Sequence, residues 1–432
     1  MTARPDPNTF DSFLCRHEQK GLLRFIACGS VDHGKSTLVG RLLYEAGLVL
    51  EDQLTSLATE SRKHGTVGDD LDFALVLDGL AAEREQKITI DVAYRFFTTE
   101  RRKFIVADAP GHERYTRNMA TGASNADLAL IVVNADAGLT RQTRRHSWIV
   151  ATLGVRRLVL AVNKMDLTNW SQDSFRSIEA DFRAFARDLD IDEIACIPTA
   201  ARNGDNIVHR SNHMPWYGGP TLLEHLEQVD VTSPPADLFR MPIQWVNRPD
   251  ADFRGYSGLI AGGEVFAGMP VQILPSGETT RIERIVTFDG DLPRASAGQA
   301  VTLTLADDVD ASRGDMIAAT AHAPLVTDVL SARIIWMDRN PLVSGRTYLL
   351  KLATCTVKAA VAPKLRAVDL DTRATVAADQ LALNDIGHCV LLLDRHMAVD
   401  PYARCKDTGS FILIDRETCE TVGMGLVEAS ST

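Results

Sequence analysis

The residues at positions 29–37, GSVDHGKST, have the pattern of a phosphate-binding loop. Gly29, Gly34, Lys35 and Ser36 match GxxxxGK[ST], the P-loop pattern, in which backbone N–H groups and the start of the next helix bind phosphate. The Lys35 ammonium is expected to reach the β- and γ-phosphates, and the Ser36 hydroxyl is expected to bind Mg²⁺. The spacing therefore predicts a site for a nucleoside triphosphate and a magnesium ion.

The middle of this loop is unusual. Asp32 places a carboxylate, with His33 beside it, in a segment that must hold an anion. A chance match in a flexible loop is the alternative to a P-loop. The neighbouring segments favour the P-loop, because LLRFIAC (22–28) predicts a buried strand before it and TLVGRLLYEAG (37–47) predicts an amphipathic helix after it.

Two further motifs follow predicted strands. Asp108-Ala-Pro-Gly111 follows KFIVA, where an acid near a P-loop holds Mg²⁺ through water and the Gly111 N–H can bind the γ-phosphate. Asn163-Lys-Met-Asp166 ends another apolar run, and the Asp166 carboxylate can accept hydrogen bonds from guanine N1 and N2, donors that adenine lacks. Each motif alone also fits a surface turn. All three in this order, each at a strand's end, predict a GTP-binding domain.

Two single residues are candidates for the hydrolysis step. Thr89, at the end of AEREQKIT (82–89), is placed to sense the γ-phosphate and Mg²⁺ through its hydroxyl, and an ordinary strand residue is the alternative. His112 directly follows Gly111, at the position of a residue that orients the attacking water. A solvated surface histidine is the alternative there.

The first half of the chain alternates apolar runs with helical patterns, which predicts a mostly parallel sheet covered on both faces. The predicted strands are 22–28, 103–110, 128–135, 157–164 and 193–198, and further helices are predicted at 142–154 and near 174–189. The second half has short β-rich runs between Gly, Pro and Asp turns, which favour a β-barrel or sandwich. We expect an α/β P-loop GTPase domain at 1–231, β-barrel domains at 238–325 and 326–432, and a linker at 232–237.

The bulk composition is that of a globular chain. Of 432 residues, 45% are hydrophobic and 24% charged, and the formal net charge of −11 disfavours a general nucleic-acid binder. The N-terminus has no apolar stretch typical of a secretory signal, and the apolar runs are too short to span a bilayer. Seven widely spaced cysteines without a CxxC pair favour reduced thiols, with a zinc site as the minor alternative.

The motifs also carry a family resemblance. VDHGKST, AEREQKIT, DAPGHE and NKMD are similar to the motifs of translational GTPases related to elongation factor Tu. Longer segments resemble the large, GTPase subunit of bacterial sulfate adenylyltransferase (CysN), from about residue 22 to about residue 426. Those segments include YTRNMATGAS, QTRRHSWI, MPWYGGPTLLEHLE, VNRPDADFRGYSGLIAGG and ILPSGETTRIERIV.

The resemblance implies a function. GTP hydrolysis on this chain would drive formation of adenosine 5′-phosphosulfate and pyrophosphate from ATP and sulfate, while the adenylyl transfer takes place on a separate small catalytic subunit (CysD). An adenylylsulfate kinase activity is not expected, because the chain stops at Thr432. GTP and Mg²⁺ are the expected cofactors. No nucleic-acid or membrane partner is expected, and the expected location is cytoplasmic.

The resemblance also assigns roles to residues. It implies that Val31 and Ile88 flank His112 as a hydrophobic gate, and that a backbone N–H of Ala201 reaches guanine O6. The catalytic residues would be His112, Lys35, Thr89, Val31 and Ile88, and the magnesium ligands Ser36, Thr89 and Asp108. The residues expected to contact the nucleotide are Gly29, Ser30, Val31, Asp32, His33, Gly34, Lys35, Ser36, Thr37, Asp108, Ala109, Pro110, Gly111, His112, Asn163, Lys164, Met165, Asp166, Ala200, Ala201 and Arg202.

Three residues differ from the resembling subunits and keep alternatives open. His33 replaces an Asp there and matches the translation factors, so a GTPase that delivers aminoacyl-tRNA is the main alternative. Lys87 replaces a Gly before the switch threonine, and Ala200 replaces a Ser, which leaves open a scaffold with an inactive GTPase. A relative that serves the sulfation of signalling oligosaccharides has nearly the same architecture and is not separated by sequence.

Overall fold

The structure is a computed structural model that describes residues 20–49, 55, 57, 61, 71–76, 89, 91–231, 238–250, 253–369 and 374–429. The chain divides into two compact units, Met1–Val231 and Thr232–Thr432. The predicted linker at 232–237 lies outside the described residues. The described part contains no helix long and apolar enough to cross a membrane.

The first unit is built on a six-stranded sheet with the strand order β2-β3-β1-β4-β5-β6. All neighbours are parallel except β2 and β3, which are antiparallel. The strands are β1 (Leu22–Gly29), β2 (Ala93–Thr98), β3 (Lys103–Asp108), β4 (Leu128–Asn134), β5 (Arg157–Asn163) and β6 (Glu193–Pro198). The helices are α1 (Lys35–Glu45), α2 (Thr116–Ser124), α3 (Arg141–Thr152), α4 (Gln172–Ala186) and α5 (Leu222–Gln228).

The central strands are apolar along their whole length because both faces of the sheet are covered. In β4, every residue from Leu128 to Val133 is buried. The helices that flank the sheet begin at side-chain caps, since the Thr140, Ser171 and Thr221 hydroxyls accept the first-turn N–H groups of α3, α4 and α5. These features confirm the predicted α/β P-loop domain.

Besides two two-stranded sheets, the described part of the second unit contains two large antiparallel sheets. The first has the order β7-β16-β11-β12-β15-β9-β8, with β13 paired to β12, and a backbone bridge between Arg240 and Gly262 joins β7 to the segment after β9. The strands of this region are β7 (Arg240–Pro242), β8 (Trp245–Asn247), β9 (Gly255–Leu259), β10 (Glu264–Phe266), β11 (Pro270–Leu274), β12 (Glu278–Thr287), β13 (Gly290–Leu292), β14 (Arg294–Ser296), β15 (Ala300–Leu305) and β16 (Met316–Ala319).

The second sheet of this unit closes on itself. The order β17-β26-β25-β19-β20-β24 is completed by pairing of β24 with β17, so six strands form a barrel. The remaining elements are β17 (Leu325–Trp336), β18 (Leu342–Val343), β19 (Thr347–Leu352), β20 (Cys355–Val361), β21 (Arg366–Val368), β22 (Thr375–Ala377), β23 (Gln380–Leu381), β24 (Ile386–Val399), β25 (Ser410–Ile414), β26 (Thr421–Val427) and the short helix α6 (Lys406–Gly409). The predicted β-barrel architecture is confirmed, while the boundary at 325/326 stays a prediction.

A fully buried ion pair joins the two sheets of the second unit. The guanidinium of Arg240 on β7 bonds both carboxylate oxygens of Asp400, at 2.8 and 3.0 Å, and both side chains are 0% exposed. Further Arg240 N–H groups donate to the carbonyls of Phe239 and His322, and Asp400 also accepts from the Thr408 hydroxyl. The charges and polar atoms of this pair are therefore satisfied without water.

Candidate nucleotide-binding site

The predicted motifs lie at one edge of the parallel sheet. Gly29 ends β1, Asp108 ends β3, Asn163 ends β5, and Ala200 to Arg202 follow β6. Because these strands are parallel and adjacent or nearly so in the sheet, their carboxyl ends meet at the same edge. This is the edge where open α/β sheets bind ligands.

The backbone of the P-loop explains its glycines. Gly29 has φ 146°, and a Cβ there would lie 2.3 Å from the Val132 carbonyl oxygen. Gly34 has φ 84°, and a Cβ there would lie 2.5 Å from Asn163 Nδ2. Asp32 takes the left-handed conformation at φ 60°, which Asp tolerates better than most residues, and its side chain is exposed. The unusual carboxylate is therefore on the solvent side of the loop.

His33 is buried instead, with 4% of its surface exposed. Its Nδ1 lies 3.1 Å from the carbonyl oxygen of Val132 on β4, so this nitrogen carries the proton and donates it. Burial lowers the pKa of His33, and the nearby Lys35 lowers it further. His33 is thus a neutral imidazole that packs the P-loop against β4.

Lys35 begins α1 and is also buried. Its Nζ donates to the Ser30 carbonyl at 2.9 Å, burial lowers its pKa, and the charge of Asp108 opposes that shift. Gly111 lies directly against this group, because a Cβ at Gly111 would be 2.4 Å from Lys35 Nζ and 2.9 Å from the Val31 backbone N. Unlike α3, α4 and α5, helix α1 has no side-chain cap, which leaves its first N–H groups for a ligand.

The three predicted magnesium ligands lie together. The Ser36 hydroxyl donates to Asp108 Oδ2 at 2.7 Å and lies 3.3 Å from Thr89 Oγ1. Two hydroxyls and a carboxylate are the hard oxygen donors that Mg²⁺ prefers, so this donor set fits the ion. Among the described residues no group of three or more His, Cys, Asp and Glu side chains is placed to hold a metal. The structure therefore offers no comparable zinc cluster in that part of the chain.

His112 is half-buried beside the DxxG turn. Its Nδ1 accepts the Arg114 backbone N–H at 3.2 Å, and its ring lies 6.2 Å from the Tyr115 ring. In the neutral ring the proton is then on Nε2. Val31, one member of the predicted gate, is half-buried, and the other, Ile88, lies outside the described residues.

Asn163 connects the P-loop to the loop after β6, which is expected to contact guanine. Its side chain is 1% exposed. Its Nδ2 donates to the His33 carbonyl at 2.9 Å, and its Oδ1 accepts the Ala201 backbone N–H at 2.9 Å. Lys164 is left-handed at φ 61°, and Asp166 is half-buried. The Ala201 N–H, for which the resemblance implies a contact with guanine O6, is thus bonded to Asn163 in this structure.

A buried histidine under the P-loop was not singled out from the sequence. His146 on α3 is 0% exposed, its Nδ1 accepts the Gly29 backbone N–H at 3.1 Å, and its Nε2 lies 2.8 Å from the Gln142 amide. Burial lowers the pKa of His146 to about 3, and the charges of Lys35 and Arg145 contribute. The neutral ring anchors the first residue of the phosphate loop.

This lowered pKa of His146 gives a testable pH dependence. At pH values between the ordinary histidine pKa of about 6.5 and the folded pKa of about 3, the His146 ring binds a proton in the unfolded chain but not in the folded one. The free energy of unfolding therefore falls as pH falls through this range. We expect His146→Asn, which keeps an acceptor for Gly29, to reduce the slope of unfolding free energy between pH 6 and 4 by about 1.4 kcal/mol per pH unit. Urea unfolding at several pH values measures it, and parallel curves for the two proteins would contradict it.

Two family models match the chain and define the class of protein to which it belongs. The family model "Elongation factor Tu GTP binding domain" matches residues 20–242, and "GTP-eEF1A C-terminal domain-like" matches residues 329–428. The first match covers more than half of the 432 residues and contains the whole site described above. The chain is therefore a P-loop protein with a GTP-binding domain of the elongation factor Tu type.

The curated relatives give the particular family. "Sulfate adenylyltransferase subunit 1" of Methylorubrum extorquens is 57% identical, over 99% of this chain and 92% of that protein. "Bifunctional enzyme CysN/CysC" of Xylella fastidiosa is 53% identical, over 97% of this chain and 67% of that protein. The chain belongs to the family of sulfate adenylyltransferase subunit 1.

A solved structure of sup35 complexed with GDP also aligns with the chain. The alignment covers 96% of this chain and 95% of the sup35 chain, with 22% sequence identity and a TM-score of 0.43. The sequence identities above, and not this alignment, define the family.

Proposed function

We propose that the protein is the GTPase subunit of a sulfate adenylyltransferase. GTP hydrolysis on this chain drives the synthesis of adenosine 5′-phosphosulfate and pyrophosphate from ATP and sulfate, and a separate small subunit (CysD) carries out the adenylyl transfer. The observation that carries this proposal is the 57% identity to a sulfate adenylyltransferase subunit 1 over 99% of the chain. The sulfate–phosphate anhydride is very unfavourable, so a second hydrolysis can pull its synthesis.

The geometry at the sheet edge supports a GTP site. Residues 29–37 would hold the triphosphate, with the Lys35 ammonium at the β- and γ-phosphates, and Asp166 and residues 200–202 would contact the guanine. Ser36, Thr89 and Asp108 would hold Mg²⁺, and the ion would supply neutralisation of phosphate charge. Burial of Lys35 strengthens its interaction with phosphate, since little water competes for the ammonium.

His112 orients the attacking water in this proposal. Its Nδ1 already accepts the Arg114 N–H, so a neutral ring presents Nε2–H, a donor that binds the water oxygen. The ring then positions the water and does not take a proton from it in this conformation. Val31 would shield the ring from other water, as one member of the gate whose other member, Ile88, is implied by the resemblance alone.

Coupling to the partner subunit needs segments whose order depends on the γ-phosphate. The segments around Thr89 and around Gly111 and His112 fit this role. Gly111 touches the P-loop so closely that a phosphate entering beside Lys35 and Val31 must shift the turn or bond to it. A shift of that turn moves His112 and the start of α2, which can reach a partner at the surface.

The translation-factor alternative loses its main support in the structure. His33, the residue that favoured it, is buried and bonded to the Val132 carbonyl, so it offers nothing to a ribosome or a tRNA. The proposal is tested by affinity purification of the tagged chain from its own cells in the presence of GTP. We expect a small adenylylating subunit to co-purify. GTP-dependent capture of aminoacyl-tRNA instead would refute the proposal.

A further inference from the structure

Arg41 lies on the face of α1 that meets the loop after β6. Its Nε donates to Glu45 Oε1 at 2.7 Å, one helical turn along α1. The two side chains are only 18% and 10% exposed, so water screens this pair weakly. Arg41 and Glu45 therefore form a fixed unit on the helix that begins in the P-loop.

The rest of the guanidinium reaches the backbone of the loop. One terminal nitrogen of Arg41 donates to the Arg202 carbonyl at 3.1 Å, and the other donates to the Asn203 carbonyl at 3.3 Å. These contacts join residues more than 160 positions apart in the chain. They connect the helix of the phosphate loop directly to the segment that follows Ala200 and Ala201.

Two aromatic rings hold the guanidinium in place. Its central carbon lies 4.9 Å from the Phe73 ring centroid and 5.7 Å from that of Tyr44, and the two rings are themselves 5.0 Å apart. Contacts of this kind are attractive and restrict the orientation of the guanidinium plane. The Arg202 and Asn203 carbonyls therefore accept hydrogen bonds from a guanidinium whose orientation the two rings restrict.

The loop has no room to move toward α1. A Cβ on Gly204, which has φ 89°, would lie 2.1 Å from Glu45 Oε1 and 2.6 Å from a terminal nitrogen of Arg41. On its other side the loop is held by the bond from the Ala201 N–H to Asn163 Oδ1. Within the loop the Ala200 carbonyl accepts the N–H groups of Asn203, Gly204 and Asp205, so the contacts with Arg41 and Asn163 fix the position of a turn that its own backbone already closes.

We propose that Arg41, held by Glu45, is a positioning residue for base recognition. It fixes the position of the backbone of residues 200–203, which lies beside the O6 edge of guanine in the proposed function. The Ala201 N–H, bonded to Asn163 Oδ1 in this structure, would exchange that bond for one to O6 when GTP binds. This rests on the proposed function, in which that loop and Asp166 contact the base of GTP. Arg41 itself touches neither the base nor the phosphates.

The test compares three nucleotides that differ in the base. 6-Thio-GTP replaces only O6, and ITP lacks only the 2-amino group that Asp166 would bind. We expect Arg41→Met to weaken GTP binding roughly tenfold and to reduce the preference for GTP over 6-thio-GTP. The preference for GTP over ITP should not change. Arg41→Lys should recover only part of the loss, because one ammonium cannot serve Glu45 and two carbonyls in fixed directions.

Arg176 on α4 offers a matched control. Its guanidinium also packs on an aromatic ring, at 5.6 Å from Phe175, and pairs with a glutamate, Glu179, at 2.7 Å, but it has no bond to a loop of the site among the described residues. Arg176→Met should leave all three affinities unchanged, and thermal unfolding checks that each variant is folded. GTP affinity of Arg41→Met within about twofold of wild type, or an unchanged preference over 6-thio-GTP, overturns the proposal. Wild-type protein that binds GTP no better than ATP would refute the proposed function instead.

Discussion

Replacement of His112 by alanine is expected to lower GTP turnover about 10²- to 10⁴-fold, the range for loss of a positioned catalytic side chain. GTP affinity should stay close to wild type, because His112 lies beyond the P-loop and contacts Arg114 and Tyr115 rather than the loop itself. Phosphate release under single-turnover conditions measures the rate, and equilibrium GTP binding measures the affinity.

The control for this variant is another histidine of the same unit. His209 is exposed, and His209→Ala should leave turnover unchanged. Turnover of His112→Ala close to that of His209→Ala would show that His112 does not orient the water. Normal turnover in wild type also removes the alternative of a scaffold with an inactive GTPase, which Lys87 and Ala200 left open.

Breaking the buried pair in the second unit from one side should cost much stability. Asp400→Asn leaves the Arg240 charge 0% exposed and without its countercharge. We expect a loss of about 3–5 kcal/mol in unfolding free energy, the usual cost of breaking a buried ion pair from one side. Urea unfolding, followed by tryptophan fluorescence, measures the loss, since Trp336 is buried in the closed barrel.

An exposed pair in the same unit is the matched control. Arg284 and Asp291 form a two-bond ion pair, at 2.6 and 3.0 Å, with side chains 50% and 45% exposed. Asp291→Asn should change stability little, because water screens that pair. The double variant Arg240→Met/Asp400→Leu should recover part of the loss, since it leaves no unpaired charge. Equal effects of Asp400→Asn and Asp291→Asn would contradict this interpretation of the buried pair.

Local sequence patterns predicted most of the parallel sheet. The apolar runs at 128–135 and 157–164 correspond to β4 and β5 within about one residue, because strands buried on both faces are apolar throughout. Helix α2 was not predicted. Its sequence, TRNMATGAS, contains Thr, Asn, Gly and Ser, which are weak helix formers, and the helix is stabilised by burial of Met119, Ala120 and Ala123.

The sequence predicted the β-rich runs of the second unit but not which strands pair with each other. Residues 269–288, for example, form a β-rich stretch that contains two strands, β11 and β12, paired with each other. Closure by β17 and β24 joins residues about 60 positions apart in sequence, which no local pattern specifies.

The same distinction applies to the site. The P-loop, DxxG and NKxD motifs are local spacings, and the structure brings Ser36, Thr89 and Asp108 together as their chemistry requires. The contacts of His146 with Gly29 and of Arg41 with the loop after β6 span more than 100 residues. Such contacts depend on how helices pack on the sheet, so single residue types gave no signal for them.

The central claim is that GTP hydrolysis drives sulfate activation, and one measurement tests it most directly. The chain is co-expressed and purified with its small subunit, and pyrophosphate release from ATP plus sulfate is followed with and without GTP. We expect synthesis to depend on GTP, with phosphate released from GTP alongside pyrophosphate, and His112→Ala to abolish the stimulation. Synthesis at full rate without GTP would contradict the claim.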